Sequence, residues 1–120
     1  MARAVAFVPD LLFGSNVVGM LQAGGHEPVL VSSGDQLAGA LPGADVLIVD
    51  LTADPQERIE IVERALGDRR LPTLAFFSHV ERDVRAEAER AGFELIVPRS
   101  RMARAGAELV SELVRGESAS

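Results

Sequence analysis

Five short apolar runs, each followed by a segment with helical spacing, constrain the fold of this 120-residue chain more than any other feature. The runs cover residues 5–8, 29–31, 46–49, 74–77 and 95–97. They are continuously apolar rather than alternating, which is typical of parallel strands that are covered on both faces. Because right-handed crossovers join such strands through helices, the sequence predicts a doubly wound α/β fold. We expect a five-stranded parallel sheet of order 2-1-3-4-5 with helices on both faces.

Caps and glycine stops indicate where the helices lie. The predicted helices cover residues 11–23, 35–41, 55–66, about 79–91 and about 100–114. Asp54 and Ser78 are predicted N-caps, each with a glutamate three residues later. The last helix is expected to turn Ala103, Ala107, Val110 and Val114 inward. Residues 1–115 then form one domain, and residues 116–120 are a frayed tail.

Composition excludes several functional classes. The chain contains no cysteine, so thiolate metal sites and a cysteine nucleophile are absent. Its net charge is −6 and it has no Trp or Tyr, which argues against a nucleic acid partner. No apolar stretch reaches the length of about 18 residues that a membrane helix needs. The sequence therefore predicts a soluble, cytoplasmic protein that binds neither nucleic acid nor membrane.

Polar residues follow the predicted strands at the edge where doubly wound sheets bind their ligands. The residues that lie at the carboxyl ends of the strands are Pro9, Asp10, Ser32, Ser33, Asp50, Thr52, Ser78, His79, Arg99 and Ser100. Two acids, two hydroxyls and a cation in one place are the groups that hold a metal ion and a phosphoryl group. The candidate pocket is therefore Asp10, Asp50, Thr52, Ser78 and Arg99.

The chain resembles the receiver domains of bacterial two-component response regulators over essentially its whole length. The resemblance lies in residues 44–51 (ADVLIVDL), 71–78 (LPTLAFFS) and 91–97 (AGFELIV). It implies a flavodoxin-like (CheY-like) fold, with Asp50 as the phosphoacceptor and Asp10 and Asp50 as ligands of Mg²⁺. In that family a hydroxyl after strand four and a lysine after strand five contact the phosphoryl oxygens, which implies roles for Ser78 and for the residue near Arg99.

The chain departs from the receiver pattern at three of these positions. Pro9 stands where a second acid is usual, so one oxygen ligand for a hard cation is missing. The chain has no lysine, and Arg99 occupies the place of the family's lysine, seven residues after Gly92. Counting from either side places Phe77, not Ser78, at the position of the hydroxyl. These departures put phosphoryl transfer in doubt.

Each candidate residue also has a plain structural interpretation. Asp50 would cap a turn or pair with Arg99, while Asp10 and Ser78 would serve as N-caps. His26 is predicted to be solvated in a turn. A weaker signal is Gly14-Ser15-Asn16, which would cradle a phosphate if it began a helix.

Three functions remain open on these grounds. The first is an atypical receiver-like signalling and protein-interaction domain, not an enzyme, without the family's phosphoryl transfer. The second is a phosphorylatable single-domain response regulator that uses Asp50, with Mg²⁺. The third is a small flavodoxin-like module that binds a phosphorylated ligand near residues 14–16 and Arg99.

The resemblance to receiver domains implies that a protein partner or a homodimer contacts residues near 80–114, from the fourth helix to the fifth. The apolar surplus of the last helix, with Met102, Leu109 and Leu113, suggests a dimer there. The last helix also carries a basic patch. That patch, formed by Arg99, Arg101 and Arg104, would bind an anion or an acidic partner, or is simply a solvated helix face.

Overall fold

The computed structural model describes residues 2–78 and 82–116. The strands are β1 (Arg3–Phe7), β2 (Glu27–Val31), β3 (Val46–Asp50), β4 (Thr73–Phe77) and β5 (Leu95–Pro98). The helices are α1 (Leu11–Ala23), α2 (Gly34–Ala40), α3 (Pro55–Leu66), α4 (Arg82–Arg90) and α5 (Arg99–Val114). The strands pair in parallel in the order β2-β1-β3-β4-β5. The predicted fold class and strand order are confirmed.

The apolar runs fill two cores, one on each face of the sheet. In β1, Ala4 and Ala6 face a core shared with α1 and α5, while Val5 and Phe7 face the core under α2, α3 and α4. Alternate side chains of a strand point to opposite faces, so a strand buried on both faces must be apolar at every position. This requirement explains why the strands were recognisable from the sequence.

Helices α1 and α5 run side by side in the same direction. Arg99 lies over the ring of Phe13 near the start of both helices, and further along Gly24 faces Ala107. A β-carbon at Gly24 would lie 2.5 Å from that of Ala107, so the glycine permits the close approach. Inside α5 the backbone departs from helical geometry at Ala105, with φ −135° and ψ 16°, which kinks the helix.

The inward face of α5 agrees with the prediction at Val110, which is buried, and differs from it elsewhere. Met102, Leu109 and Leu113 are at most 3% exposed, so the apolar surplus that suggested a dimer contact is part of the core. Ala103 and Val114 are exposed instead. The longer apolar side chains take the interior because they remove more apolar surface from water. A charged substitution at Leu113 would therefore test the core and not a contact surface.

His26 is buried, and the prediction that it is solvated is wrong. Its Nδ1 atom accepts a hydrogen bond from the Ala2 N–H at 3.2 Å. Its Nε2 atom lies 3.1 Å from the Ala107 carbonyl oxygen and 3.0 Å from the Ser111 hydroxyl. Because Nδ1 accepts, Nε2 carries the proton and donates to α5. The imidazole thus ties the start of β1 to α5.

Three further expectations concern membrane helices, the start of the fourth helix and the C-terminal tail. In the part of the chain that the structure describes, no helix is long and apolar enough to cross a membrane. Residues 79–81, which include His79 and the end of the capping box predicted at Ser78, lie outside the described residues. The same is true of 117–120 in the predicted tail.

Candidate functional site

Asp50 ends β3 in the middle of the sheet and is 1% exposed. Its Oδ1 atom accepts two hydrogen bonds from Thr52, one from the backbone N–H at 2.8 Å and one from the hydroxyl at 2.5 Å. A carboxylate that binds the backbone two residues further on forms an Asx turn, which starts the loop after the strand. The expectation that Asp50 caps a turn is confirmed, and Thr52 supplies both donors.

Arg58 occupies the other side of the same carboxylate. Its Nη1 atom lies 3.3 Å from Asp50 Oδ2 and donates to the Asp50 carbonyl oxygen at 2.9 Å. The Arg58 side chain is 13% exposed, so this ion pair is nearly closed to water. The expected pairing of Asp50 with Arg99 is therefore wrong. A partner eight residues along the chain has taken its place.

One feature of the sequence points to a partner for Arg58. Pro55 is the first residue of α3, which places Arg58 about one turn into the helix. A cation near a helix N-terminus opposes the helix dipole, and a nearby anion offsets this unfavourable interaction. The acid at the end of the preceding strand, Asp50, is that anion.

The loop between Asp50 and Arg58 is tightly constrained. Asp54 has φ +46° and ψ +49°, in the left-handed region that few residues other than glycine adopt. Asp54 holds the N-cap position that was predicted for it, but its side chain makes no capping hydrogen bond. The loop is therefore held by the contacts of Asp50 rather than by a side-chain cap.

Asp10 lies at a different corner of the same sheet edge. It is exposed, and its Oδ1 atom accepts the Phe13 N–H at 3.0 Å, which caps α1. The N-cap interpretation of Asp10 is confirmed. One of its oxygens is thus engaged by the backbone of its own helix.

Arg99 is the first residue of α5 and stacks on an aromatic ring. Its guanidinium carbon lies 3.9 Å from the ring centroid of Phe13, a cation–π contact. The Phe13 ring in turn packs against Phe76 of β4, with centroids 5.0 Å apart. This contact holds Arg99 beside the start of α1, and Asp50 forms its ion pair with Arg58 instead.

Ser78 directly follows β4 and is exposed. Phe77, which the residue count placed at the hydroxyl position of receivers, is the last residue of β4 and is 5% exposed. Ser78 and Thr52 both line a cleft of about 170 Å³ between the loop after β3 and the start of α4. The structure therefore joins Thr52 to Asp50 by hydrogen bonds and places Thr52 and Ser78 along one cleft, while Asp10 and Arg99 both contact Phe13.

The glycine segment that suggested a phosphate cradle lies inside α1. The Gly14 N–H donates to the Asp10 carbonyl oxygen at 2.8 Å as part of the helix. A β-carbon at Gly14 would meet Leu30 at 3.1 Å, so the glycine serves the packing of α1 on β2. Its amide is not available to a phosphate, and the predicted cradle is wrong.

The acids at this edge do not fit a magnesium site as they are arranged. Mg²⁺ needs near-octahedral oxygen ligands, and Asp50 already directs its oxygens to Thr52 and to the Arg58 cation. Pro9 contributes no carboxylate beside Asp10. Among the residues described, no three acidic or histidine side chains come together as a metal would require.

Similarity to solved structures is strong in shape and weak in sequence. A CheY-like receiver domain protein from Methanospirillum hungatei superposes with a TM-score of 0.82 at 13% identity, over 98% of this chain and 96% of that one. The chain has the receiver fold. The receiver domain of the Francisella response regulator 1452 gives 0.81 at 11% identity, over 97% and 98% of the two chains.

A third solved receiver extends this likeness. The signal receiver domain of a modulated diguanylate cyclase from Desulfovibrio desulfuricans gives a TM-score of 0.81 at 14% identity, over 98% of this chain and 96% of that one. No protein-family model and no curated protein matches the sequence. At these identities the likeness shows the receiver fold and not the chemistry at Asp50.

Proposed function

We propose that this chain is a receiver-like signalling domain that acts by protein–protein contact, without phosphoryl transfer and without turnover of its own. The observation that carries the proposal is the pairing of Asp50 with Arg58 and Thr52. A phosphoacceptor must present a free carboxylate oxygen to the phosphodonor, and here both oxygens have partners.

The electrostatics around Asp50 support the same conclusion. A guanidinium 3.3 Å from the carboxylate neutralises it and repels a second cation from the same oxygens. To reach the state of a working receiver, Asp50 would have to give up a buried ion pair before it could bind Mg²⁺. Breaking such a pair costs about 3 kcal/mol, because one charge is left buried without a partner.

The alternative functions fit the structure less well. A phosphorylatable regulator needs a metal at Asp10 and Asp50, which the arrangement of these side chains does not favour. A phosphate-binding module needs free backbone amides at residues 14–16, and the Gly14 amide is bound within α1. The protein-interaction role requires neither.

The direct test is incubation with acetyl phosphate and Mg²⁺, followed by intact mass spectrometry. Asp50→Asn serves as the negative control, and an active receiver treated in parallel shows that the phosphodonor works. We expect no phosphate adduct on the wild-type protein. An adduct on the wild type that is missing from Asp50→Asn would overturn the proposal and establish a phosphorylatable regulator.

A further inference from the structure

Helix α1 exposes apolar and uncharged residues to solvent. Leu11 and Leu12, at its start, are 74% and 77% exposed. Its 13 residues include no charged side chain, whereas each of the other four described helices carries at least one. Exposed leucines on an uncharged helix are uncommon at a surface that meets only water.

One stripe of α1 joins Leu12 to small residues. Leu12, Asn16, Gly19 and Ala23 follow helical spacing and are all exposed. A β-carbon at Gly19 would meet nothing within 4 Å, so the surface is open there. Small side chains at these positions let another helix approach closely.

The neighbouring stripe of α5 also combines small residues with one larger apolar residue, but that residue stands at the end of the helix and not at its start. Ala103, Ala107, Ser111 and Val114 are exposed or half-buried at helical spacing. Here the large apolar residue stands at the end of the helix, because Val114 is 42% exposed. Leu11, Leu12 and Val114 are the large hydrophobic side chains that the described residues expose. Leu12 and Val114 belong to the two stripes described above, which together form the α1–α5 face, while Leu11 lies on the neighbouring side of α1.

Charge along α5 is also divided between its two ends. Arg99, Arg101 and Arg104 lie in the first half, and Glu108 and Glu112 lie in the second, with Arg115 at the helix end. Since α1 and α5 run in the same direction, Leu12 and the three arginines lie towards one end of the two helices, and Val114 and the two glutamates lie towards the other. A second copy turned end to end would match each end to its complement.

We propose that the α1–α5 face is the contact of a two-fold symmetric homodimer, with the helices of the two copies antiparallel. Leu12 of each copy packs on Val114 of the other, and Arg104 faces Glu108 across the axis. The proposal does not depend on the chemistry at Asp50. The proposed contact uses exposed side chains, whereas Met102, Leu109 and Leu113, which the sequence suggested for a dimer contact, are buried.

Sedimentation equilibrium on the full chain over a wide micromolar range tests the proposal. We expect the wild type to form a dimer and Leu12→Ser to raise its dissociation constant about tenfold or more. Gly19→Glu should do the same, while Gly39→Glu, at an equally open position in α2, should leave the constant unchanged. Circular dichroism checks that each variant is folded.

Charge reversal gives a second, independent readout. Arg104→Glu and Glu108→Arg should each weaken the dimer, and the two together should restore it, because the reversed pair is again complementary. A wild type that is monomeric throughout the range would overturn the proposal. So would a dimer that Leu12→Ser and Gly19→Glu leave unchanged, since the contact would then lie on another face.

Discussion

Two corners of the same sheet edge each contain an acid and a cation, but the acid and the cation form an ion pair at only one of the two corners. At the end of β3, Asp50 and Arg58 form a buried pair within one strand–helix unit. At the end of β1, the exposed Asp10 caps α1, and Arg99 stacks on Phe13 instead of approaching an acid. The sequence predicted one shared pocket. The structure has two separate clusters, each completed by partners close to it.

The difference shows how burial decides the partner of a charged group. A buried carboxylate such as Asp50 must be paired, because an unpaired charge in a protein interior is strongly unfavourable. An exposed one such as Asp10 is solvated and needs only a weak local contact. We therefore expect substitutions at the β3 corner to cost much more stability than those at the β1 corner.

The largest effect is expected at Arg58. Arg58→Leu leaves Asp50 buried without its cation and should lower the free energy of unfolding by about 3 kcal/mol, measured by urea denaturation. Arg64→Leu, at an exposed position of the same helix, is the matched control and should change little. Equal losses of unfolding free energy for the two variants would mean that pairing with Asp50 does not make Arg58 more important for stability than an exposed arginine.

A smaller loss is expected at Thr52. Thr52→Val keeps the shape but removes the hydroxyl that donates to Asp50, and should lower the unfolding free energy by about 1.5 kcal/mol. Thr52→Ser retains the donor and should recover most of the loss. If valine and serine behave alike in denaturant titrations, the hydroxyl does not stabilise the carboxylate.

At the other corner, Asp10→Ala removes an N-cap and should lower the unfolding free energy by about 1 kcal/mol. Asp10→Ser supplies another capping oxygen and should restore it. The loss should also be independent of added Mg²⁺ in thermal unfolding. A Mg²⁺-dependent stabilisation of the wild type that Asp10→Ala abolishes would mean that Asp10 binds the ion.

The smallest effect is expected at Arg99. Arg99→Gln removes the cation from the face of Phe13 and should reduce stability by about 0.5 kcal/mol, the magnitude of a partly exposed cation–π contact. Arg99→Lys keeps a cation and serves as the control. A loss as large as that of Arg58→Leu would show that Arg99 pairs with an acid after all.

The sequence was sufficient for the fold because strands buried on both faces must be apolar throughout, and residues 46–49 and 74–77 carry that pattern plainly. It also indicated the N-cap at Asp10. It was insufficient where a partner depends on the path of a loop. Asp50 and Arg58 are joined by a loop in which Asp54 takes the left-handed conformation, and no local sequence pattern predicts that path.

Residues far apart in the sequence were harder to place. His26 reaches Ala107 and Ser111 only because α1 and α5 lie side by side, which no local pattern shows. In α5, Val110 was placed correctly in the core, but Ala103 and Val114 were assigned to the inward face in place of Met102 and Leu109, which fill more of the core.

The central claim is that Asp50 is committed to Arg58, and a double-mutant cycle tests it most directly. Unfolding free energies of the wild type, Asp50→Asn, Arg58→Leu and the double variant give the coupling between the two side chains. The account predicts a coupling of about 1.5 kcal/mol or more, with the double variant less destabilised than the sum of the single ones. A coupling near zero would mean that Asp50 is free of Arg58, and that its carboxylate is available for other chemistry.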